Sequence, residues 1–331
     1  MKAILCEQYG PPSSLQLRDL PSPIPQPNQV VITNRVAAVN FPDALIIQDK
    51  YQYKPALPFS PGGEVAGVIK AVGSAVANYK IGDKVLALTT YGGFAQEVAV
   101  ASDQLVALPA DLSDADLQLA GAFGMTYGTS LHALQDRAQA QAGETLLVLG
   151  ASGGVGMAAI ELGKRMQLRV IAAASSTEKL DAARRCGADM VIDYSREDLR
   201  ERLKLLTDGR GPDIIYDPVG GDLSEPAFRS IGWNGRYLVV GFAAGTIPRL
   251  PLNLPLLKGA AVIGVFWGEF VKRQPVQNAE NMRLLLEWLR EGSIKPLISQ
   301  YYPLSRAPEA LEAMMARKVI GKVIVLPQQI E

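Results

Sequence analysis

The chain has 331 residues, 48% of them hydrophobic and 20% charged, a composition typical of a globular protein large enough for two domains. Lysine plus arginine and aspartate plus glutamate each number 33, so the formal net charge is zero, and the composition favours neither a nucleic-acid partner nor an anionic membrane surface. The two cysteines, Cys6 and Cys186, are too few for a disulfide framework or a cysteine metal cluster. With no signal peptide and no membrane-spanning run in the sequence, these features predict a cytoplasmic protein.

Residues 1 to about 120 predict a β-rich domain with many turns and no helix of any length. Apolar patterning indicates strands at 15–18, 30–34, 64–72 and 84–88, and four prolines between 21 and 27 exclude regular structure there. Ser113, followed three residues later by Asp116, then predicts the start of a helix.

From about residue 120 to residue 268, short apolar strands alternate with helices, which predicts an α/β fold with a doubly wound parallel sheet. The strands are predicted at 146–149, 169–174, 190–194, 214–219, 237–242 and 261–267. Helices at 278–290 and 308–317 and a last strand at 322–326 follow. Because this tail has no further βαβ partner, we expect it to return to the first domain.

A glycine-rich turn at 150–156 joins an apolar strand to a helix, as in the first half of a dinucleotide-binding βαβ unit. The turn has the form A-x-G-x-x-G, with Ala151 where the first glycine usually falls. Glycine leaves the backbone open to a pyrophosphate, whose charge is stabilised at the helix start. The alternative is an ordinary strand-to-helix turn. We expect cofactor contacts from Ser152, Gly153, Gly154 and Val155.

The tip of the second strand of this domain bears on the choice between NADPH and NADH. An NAD site usually has an acidic residue about 20 positions after the glycine turn, whereas here three alanines are followed by Ser175 and further hydroxyl residues. Lys179 and these hydroxyls suit a 2′-phosphate, and Tyr194 adds a phenol. Glu178 is interpreted as a first-turn carboxylate on the helix dipole. A solvated helix face is the alternative for Lys179, and NADP(H) is the predicted cofactor.

With these features in place, the whole chain resembles the zinc-independent quinone oxidoreductases, the zeta-crystallin-like family of the medium-chain dehydrogenase/reductase superfamily. The resemblance rests on the glycine turn and on the motifs VNFPD at 39–43, PGGEVAG at 61–67, VG at 72–73, GDKV at 82–85, GAD at 187–189 and GKV at 321–323. It implies a GroES-like catalytic domain at 1–124, completed by 269–331, and a Rossmann domain at 125–268. It also implies NADPH in a cleft between the domains and a homodimer.

Zinc-bearing members of the superfamily place a cysteine where Asn40 stands, a histidine where Gly63 stands and a second cysteine near Phe123. None of these ligands is present, and a zinc site needs about three. The segment 86–94 also lacks the cysteines of a structural zinc loop. The only histidine, His132, is interpreted as a packing or surface residue of a helix. We therefore expect no metal, and alcohol oxidation that depends on a Lewis acid is not expected.

The remaining chemistry is hydride transfer from a nicotinamide to an acceptor that stabilises charge itself, such as a quinone or an α,β-unsaturated carbonyl. The resemblance implies that Tyr51 lies near the nicotinamide, so it is the first candidate for a hydrogen-bond donor. Asn40 is the second, with Asp43 as its structural partner. The alternative interpretation of 40–43 is a turn, because Asn, Pro and Asp all favour turns.

Further cofactor contacts are expected where later strands end, since doubly wound sheets bind ligands at that edge. The resemblance implies Lys322 and Thr126 near the cofactor as well, although a surface lysine is an alternative for Lys322. Phe266 and Trp267 have a second interpretation as core or dimer contacts. The residues expected at the strand ends are Val219, Gly241, Phe242, Ala243, Phe266, Trp267 and Gly268.

The sequence thus predicts an NADPH-dependent quinone reductase that acts on a small molecule, without nucleic-acid or membrane partners. An enone or 2-enoyl-thioester reductase with the same cofactor is the alternative, and a non-catalytic NADPH-binding protein is the third hypothesis. One histidine and two separated cysteines exclude a hydrolase triad.

Overall fold

A computed structural model describes residues 1–331 and divides the chain into two compact units. The first unit comprises 1–125 and 295–331, and the second comprises 126–294. The second unit therefore extends beyond the expected boundary at residue 268, because the helices after that residue pack on it: Phe270 stacks on His132, and Asn281 donates to Asp136. None of the helices combines the length and the apolar character needed to cross a membrane.

Strands and helices alternate along much of the chain. In chain order the strands are β1 Lys2–Leu5, β2 Gln16–Asp19, β3 Gln29–Val39, β4 Glu64–Val72, β5 Lys84–Leu88, β6 Glu97–Ala101, β7 Leu105–Ala107, β8 Thr145–Leu149, β9 Arg169–Ala174, β10 Met190–Asp193, β11 Ile214–Asp217, β12 Arg236–Val239, β13 Ala261–Gly264, β14 Ile298–Pro303 and β15 Lys322–Leu326. The α-helices are α1 Phe41–Ile46, α2 Asp114–Ala120, α3 Gly124–Leu131, α4 Gly154–Arg165, α5 Thr177–Arg185, α6 Leu199–Leu206, α7 Ser224–Arg229, α8 Asn253–Lys258, α9 Trp267–Arg273, α10 Pro275–Arg290 and α11 Ala307–Met315. A π-helix covers His132–Arg137.

The first unit is built on a β-sheet in the order β14-β15-β3-β4-β5-β7, with β6 also paired to β3. Strand β3 is the longest, at 11 residues, and its apolar content suits a strand that is buried along most of its length. The last strand, β15, pairs antiparallel with the end of β3, where Val323 faces Val39. The sheet thus brings the end of the chain beside residues near position 40.

The second unit contains a six-stranded parallel sheet in the order β10-β9-β8-β11-β12-β13, with helical crossovers. The predicted α/β fold class, a β-rich domain plus a doubly wound parallel sheet, is confirmed. Strand β8 lies between β9 and β11, so the direction of winding reverses beside it. Doubly wound sheets bind dinucleotides at such a reversal, outside the carboxyl ends of the strands.

Several element ends differ from the predictions for local reasons. Strands β10 and β11 stop at Asp193 and Asp217 rather than at residues 194 and 219, because each carboxylate accepts a hydrogen bond from a backbone N–H two residues later. The first unit also contains a short helix, α1, where no helix is predicted. The predicted start at Ser113 is confirmed, since its hydroxyl accepts the N–H of Asp116 at 3.1 Å.

Candidate active site

Asn40 lies where β3 ends and α1 begins, and its backbone N–H is held by the side chain of Asp43. Oδ2 of Asp43 accepts this N–H at 2.7 Å, and Oδ1 accepts the backbone N–H of Gly63 at 3.0 Å. Asp43 is buried, with 1% of its surface exposed. The segment 40–43 is therefore a helix start whose carboxylate also holds the loop before β4, not a simple turn.

The side-chain amide of Asn40 is held at both ends by charged residues. Its Nδ2 donates to Oε2 of Glu64 at 2.9 Å, and its Oδ1 accepts from Nζ of Lys322 at 2.6 Å. Lys322 and Glu64 also form an ion pair at 3.3 Å, with side-chain exposures of 4% and 0%. We call Asn40, Asp43, Glu64 and Lys322 the Asn40 cluster.

The charges of the Asn40 cluster are compensated within the first unit. The second oxygen of Glu64, Oε1, accepts the backbone N–H of Met125 at 2.9 Å, so both carboxylate oxygens are bonded. Burial raises the pKa of Asp43 to about 7, although the two backbone donors and the Lys322 ammonium oppose that rise. The desolvation of the Asp43 carboxylate therefore outweighs the stabilisation that these three groups provide.

The three positions that the resemblance compares with zinc ligands, Asn40, Gly63 and Phe123, have different chemistry here. The Asn40 amide is already bonded at both ends, Gly63 has no side chain, and Phe123 is fully buried. A Cβ at Gly63 would lie 3.0 Å from the backbone oxygen of Thr90, so the site has little room for a side chain there. No group of three or more His, Cys, Asp or Glu that could hold a metal ion is present.

Tyr51 is half-buried against the core of the first unit and lies beside Tyr53, with ring centroids 5.8 Å apart. Burial raises the pKa of its hydroxyl, and the nearby Tyr53 and Asp43 add to the effect. Tyr51 therefore stays protonated at physiological pH, so its hydroxyl can act as a hydrogen-bond donor.

Glu64 is a site residue that was not predicted from the sequence. Two signals were available: Glu64 is the first residue of the apolar strand β4, and Lys322 is the first residue of the apolar strand β15. A charged side chain that is buried at the start of an apolar strand requires a partner. Lys322 is not the surface lysine of the alternative interpretation, since only 3% of it is exposed.

In the second unit, the glycine turn connects β8 to α4 as predicted. A Cβ at Gly156 would lie 2.5 Å from the backbone oxygen of Gly150, so only glycine allows this close packing. Gly153 is the N-cap residue, and no side chain caps the helix there. Ser152, Gly154 and Val155 lie in the same turn and first helical turn, whose N–H groups have no intrahelical partners.

The residues predicted to hold a 2′-phosphate lie together at the tips of β9 and β10. Nζ of Lys179 donates to the hydroxyl of Ser175 at 3.3 Å, and the Ser176 hydroxyl accepts the Lys179 N–H at 3.4 Å. Tyr194 is half-buried, and its backbone N–H donates to Ala174 at 3.2 Å. The lysine, the hydroxyls and the phenol are thus on neighbouring strand ends.

The remaining predicted contacts differ in exposure. Val219 and the segment 241–243 lie in adjoining loops, joined where the Ala243 N–H donates to Pro218 at 3.1 Å. Phe266 is 48% exposed, whereas Trp267 is 7% exposed and packs on Gly128, so Trp267 is a core residue. Gly268 is in α9, and Thr126 is buried.

His132 packs as expected, stacked on Phe270 and bonded to Asp136 at 2.8 Å.

Comparison with known proteins identifies the family of this chain. A quinone oxidoreductase-like protein 2 homologue of Nematostella vectensis is 35% identical over 99% of this chain and 89% of its own length. The chain belongs to the quinone oxidoreductase family of the medium-chain dehydrogenase/reductase superfamily. Human quinone oxidoreductase, another relative, is 33% identical over 98% of both chains. The resemblance stated from the sequence is therefore confirmed.

Domain models and solved structures agree with this family. The alcohol dehydrogenase GroES-like domain matches residues 26–110, and the zinc-binding dehydrogenase model matches 154–288, which excludes Asn40, Gly63 and Phe123. Escherichia coli quinone oxidoreductase complexed with NADPH is 28% identical, with a TM-score of 0.91 over 99% of this chain and 100% of that one. A mycobacterial protein, also complexed with NADPH, is 26% identical, with a TM-score of 0.90 over 99% and 100% of the two chains.

We expect the buried ion pair of the Asn40 cluster to have a large effect on stability. Removing one of the two charges should destabilise the first unit, and removing the other as well should restore most of its stability. Lys322→Met leaves the buried Glu64 carboxylate without its counter-charge, which we expect to lower the free energy of unfolding of the first unit by about 3–5 kcal/mol. Adding Glu64→Gln removes the orphaned charge and should recover most of that loss. All three tryptophans, Trp233, Trp267 and Trp288, lie in the second unit, so tryptophan fluorescence would not report unfolding of the first unit. Hydrogen exchange of peptides from β3 and β4 measures the effect instead.

Lys54→Met is the matched control, since Lys54 pairs with Asp49 at 2.8 Å on the surface of the first unit, where the two side chains are 58% and 43% exposed. We expect this change to cost about 0–1 kcal/mol. A loss for Lys322→Met no larger than that of Lys54→Met contradicts the prediction.

Proposed function

We propose that the chain is an NADPH-dependent reductase that transfers hydride to a quinone or a similar electrophilic carbonyl compound without zinc. The Asn40 cluster carries this proposal. At the positions of two zinc ligands the chain has a glycine and an amide that is bonded to Glu64 and Lys322, so the buried cation at this place is the Lys322 ammonium. The quinone oxidoreductases among its relatives support the choice of acceptor.

The second unit has the features that a bound dinucleotide requires. The turn before α4 has no side chain over its N–H groups, and a 12-residue helix begins there, so a pyrophosphate would find free donors and a favourable dipole. Lys179, Ser175 and Tyr194 would hold the 2′-phosphate of NADPH, and no carboxylate follows directly at the tip of β9. The NADPH-bound relatives from Escherichia coli and a mycobacterium support this cofactor.

Reduced nicotinamide, when bound, supplies the hydride. A quinone that accepts a hydride and a proton becomes a hydroquinone, so the protein must stabilise negative charge on an acceptor oxygen. We assign the hydrogen bond to that oxygen to Tyr51, because its raised pKa keeps the hydroxyl protonated and able to donate. Asn40 offers its second amide hydrogen, because Glu64 occupies only one of the two.

Lys322 and Glu64 orient the Asn40 amide before any substrate binds. Asp43 accepts the backbone N–H of Asn40 and so holds its main chain. In this proposal Asn40 and Lys322 also contribute to cofactor binding, as do Thr126 and the strand-end residues of the second unit.

The test of function is NADPH oxidation with 1,4-benzoquinone or 9,10-phenanthrenequinone, run beside crotonyl-CoA. We expect quinone reduction with NADPH, much slower reduction with NADH, and no loss of rate after treatment with a metal chelator. Turnover of crotonyl-CoA alone would favour the enoyl-thioester reductase, and tight NADPH binding without turnover would favour a non-catalytic binding protein. A stoichiometric zinc ion required for activity would overturn the zinc-free reaction.

Lys179→Ala tests the choice of cofactor. Losing a charge-assisted bond to the 2′-phosphate should weaken NADPH binding by roughly 1.5–3 kcal/mol, about 10- to 150-fold in Kd, and leave NADH binding almost unchanged. Lys204→Ala is the control, because Lys204 is an exposed lysine on α6 of the same unit. Titration of each variant with both nucleotides gives the answer, and equal losses for NADPH and NADH would rule out this role for Lys179.

We also propose that the protein is a homodimer joined along β13, the edge strand of the parallel sheet. This strand is largely exposed, with Val262 at 49%, and nearby α8 exposes Leu256 at 79% and Leu257 at 69%. An exposed apolar edge strand favours pairing with another strand, and a twofold axis would pair it with its own copy.

A cytoplasmic location remains a prediction from the two free cysteines.

Val262→Lys should convert the dimer into monomers, because it places a charge at the centre of the proposed contact. Light scattering coupled to size-exclusion chromatography measures the mass at several protein concentrations. Ile81→Lys is the control, since Ile81 is 68% exposed in the first unit and should leave the mass unchanged. A wild-type protein that is monomeric at all concentrations would refute the dimer.

A further inference from the structure

Asp217, the last residue of β11, is a buried carboxylate that the proposed reaction does not use. Only 3% of it is exposed, and it accepts four hydrogen bonds. Oδ1 accepts the backbone N–H groups of Val219 and Gly220, each at 2.8 Å. Oδ2 accepts the Ser224 hydroxyl at 2.7 Å and the Tyr237 hydroxyl. A buried carboxylate bonded in this way restrains the positions of the two backbone N–H groups and the two hydroxyls that donate to it.

The backbone that Asp217 holds is an unusual turn. Gly220 has φ +69° and Gly221 has φ +60°, conformations that favour glycine. A Cβ at Gly220 would lie 2.9 Å from the ring of Phe242, so the absence of a side chain at Gly220 leaves the room that this ring occupies. The carboxylate therefore sets the conformation of the loop 217–221 and, through it, the position of Phe242.

Backbone hydrogen bonds join this loop to the loop 240–246 after β12. The N–H groups of Val240 and Ala244 donate to Asp217 and Val219, at 2.9 and 2.8 Å, and the Gly221 N–H donates to Thr246 at 3.0 Å. We call the two loops together the β11–β12 edge. Because the bonds run in both directions, a change in the Asp217 turn must move the segment 241–243 as well.

The place of the β11–β12 edge in the sheet indicates what it positions. Lys179 and Ser175 follow β9, on one side of β8, whereas β11 and β12 lie on the other side. A dinucleotide binds across the reversal beside β8, so its two halves lie on opposite sides of that strand. The half without the 2′-phosphate would therefore meet the β11–β12 edge.

We propose that Asp217 is a positioning residue for the nicotinamide half of the cofactor, acting through the β11–β12 edge. The assignment rests on the proposed function, since it requires that the second unit binds a nicotinamide dinucleotide. Tyr237 and Ser224 hold the carboxylate, and the carboxylate holds the loops. The nicotinamide half is common to NADPH and NADH, so this role affects both nucleotides equally, unlike that of Lys179.

The experiment compares Asp217→Ala, Asp217→Asn and a matched control, Thr207→Val. Thr207 is also a buried loop residue of the second unit, but it precedes β11: its hydroxyl donates to Leu203 and accepts the Gly211 N–H. Asparagine can still accept the two N–H groups and donate to the two hydroxyls. Nucleotide titrations give Kd for NADPH and NADH, and hydrogen exchange of the cofactor-free protein reports the loops directly.

We expect Asp217→Ala to raise Kd at least 10-fold for both nucleotides and to speed exchange in peptides covering 217–223 and 240–246. Asp217→Asn should restore both nucleotide affinities to within about threefold of the wild type. Thr207→Val should speed exchange only around 203–213 and leave both Kd values unchanged. If Asp217→Ala does not fold, Ser224→Ala and Tyr237→Phe replace it, each removing one bond to Oδ2, with an expected 2- to 5-fold rise in both Kd values.

Three results would overturn the assignment while leaving the proposed function intact, and the first two concern hydrogen exchange and the control variant. One is faster exchange of the β11–β12 edge with unchanged Kd values, and the other is an equal loss of affinity in the Asp217 variants and Thr207→Val. A loss confined to NADPH would also contradict it. A wild-type protein that binds neither nucleotide would instead refute the proposed function, and this assignment with it.

Discussion

The ion pair between Glu64 and Lys322 is the interaction on which the first unit depends. Burying two opposite charges costs less free energy when each compensates the other and the remaining polar atoms are hydrogen-bonded. The Asn40 amide bonds both members of the pair, and the Met125 N–H occupies the other oxygen of Glu64. Strands β3, β4 and β15 therefore meet at one electrostatic contact, which also fixes the orientation of a candidate active-site amide.

The second unit depends on a different constraint, the placement of backbone groups at the edge of a parallel sheet. The strand β8, its glycine turn and α4 place uncapped N–H groups at the reversal of winding. Carboxylates at the ends of β10 and β11 then bend the chain sharply, so the following loops begin at defined positions. The geometry of a ligand site is thereby set by short-range bonds within a rigid sheet, which is how doubly wound folds combine one framework with many specificities.

The features that could be predicted from the sequence are those with local signals. The glycine turn, the start of α2 at Ser113 and the alternation of strands and helices each depend on residues close together in the chain. The Asn40 cluster could not be predicted in full, because Glu64 and Lys322 are 258 positions apart. The membership of α10 in the second unit depends on contacts such as that between Asn281 and Asp136, which are 145 positions apart. The strand ends at Asp193 and Asp217 had a local signal, an aspartate at the end of an apolar run, that hydrophobicity alone does not reveal.

The position of Lys322 at the start of β15 also bears on how the chain folds. Side chains alternate between the faces of a strand, so a slip of one residue in the pairing of β15 with β3 would turn Lys322 away from Glu64. The misaligned sheet would keep most of its backbone hydrogen bonds but would bury Glu64 without a cation, at a cost of about 3–5 kcal/mol. An apolar strand such as KVIVL discriminates poorly between registers by packing alone. The charge at its first residue therefore favours the correct alignment of β15 with β3.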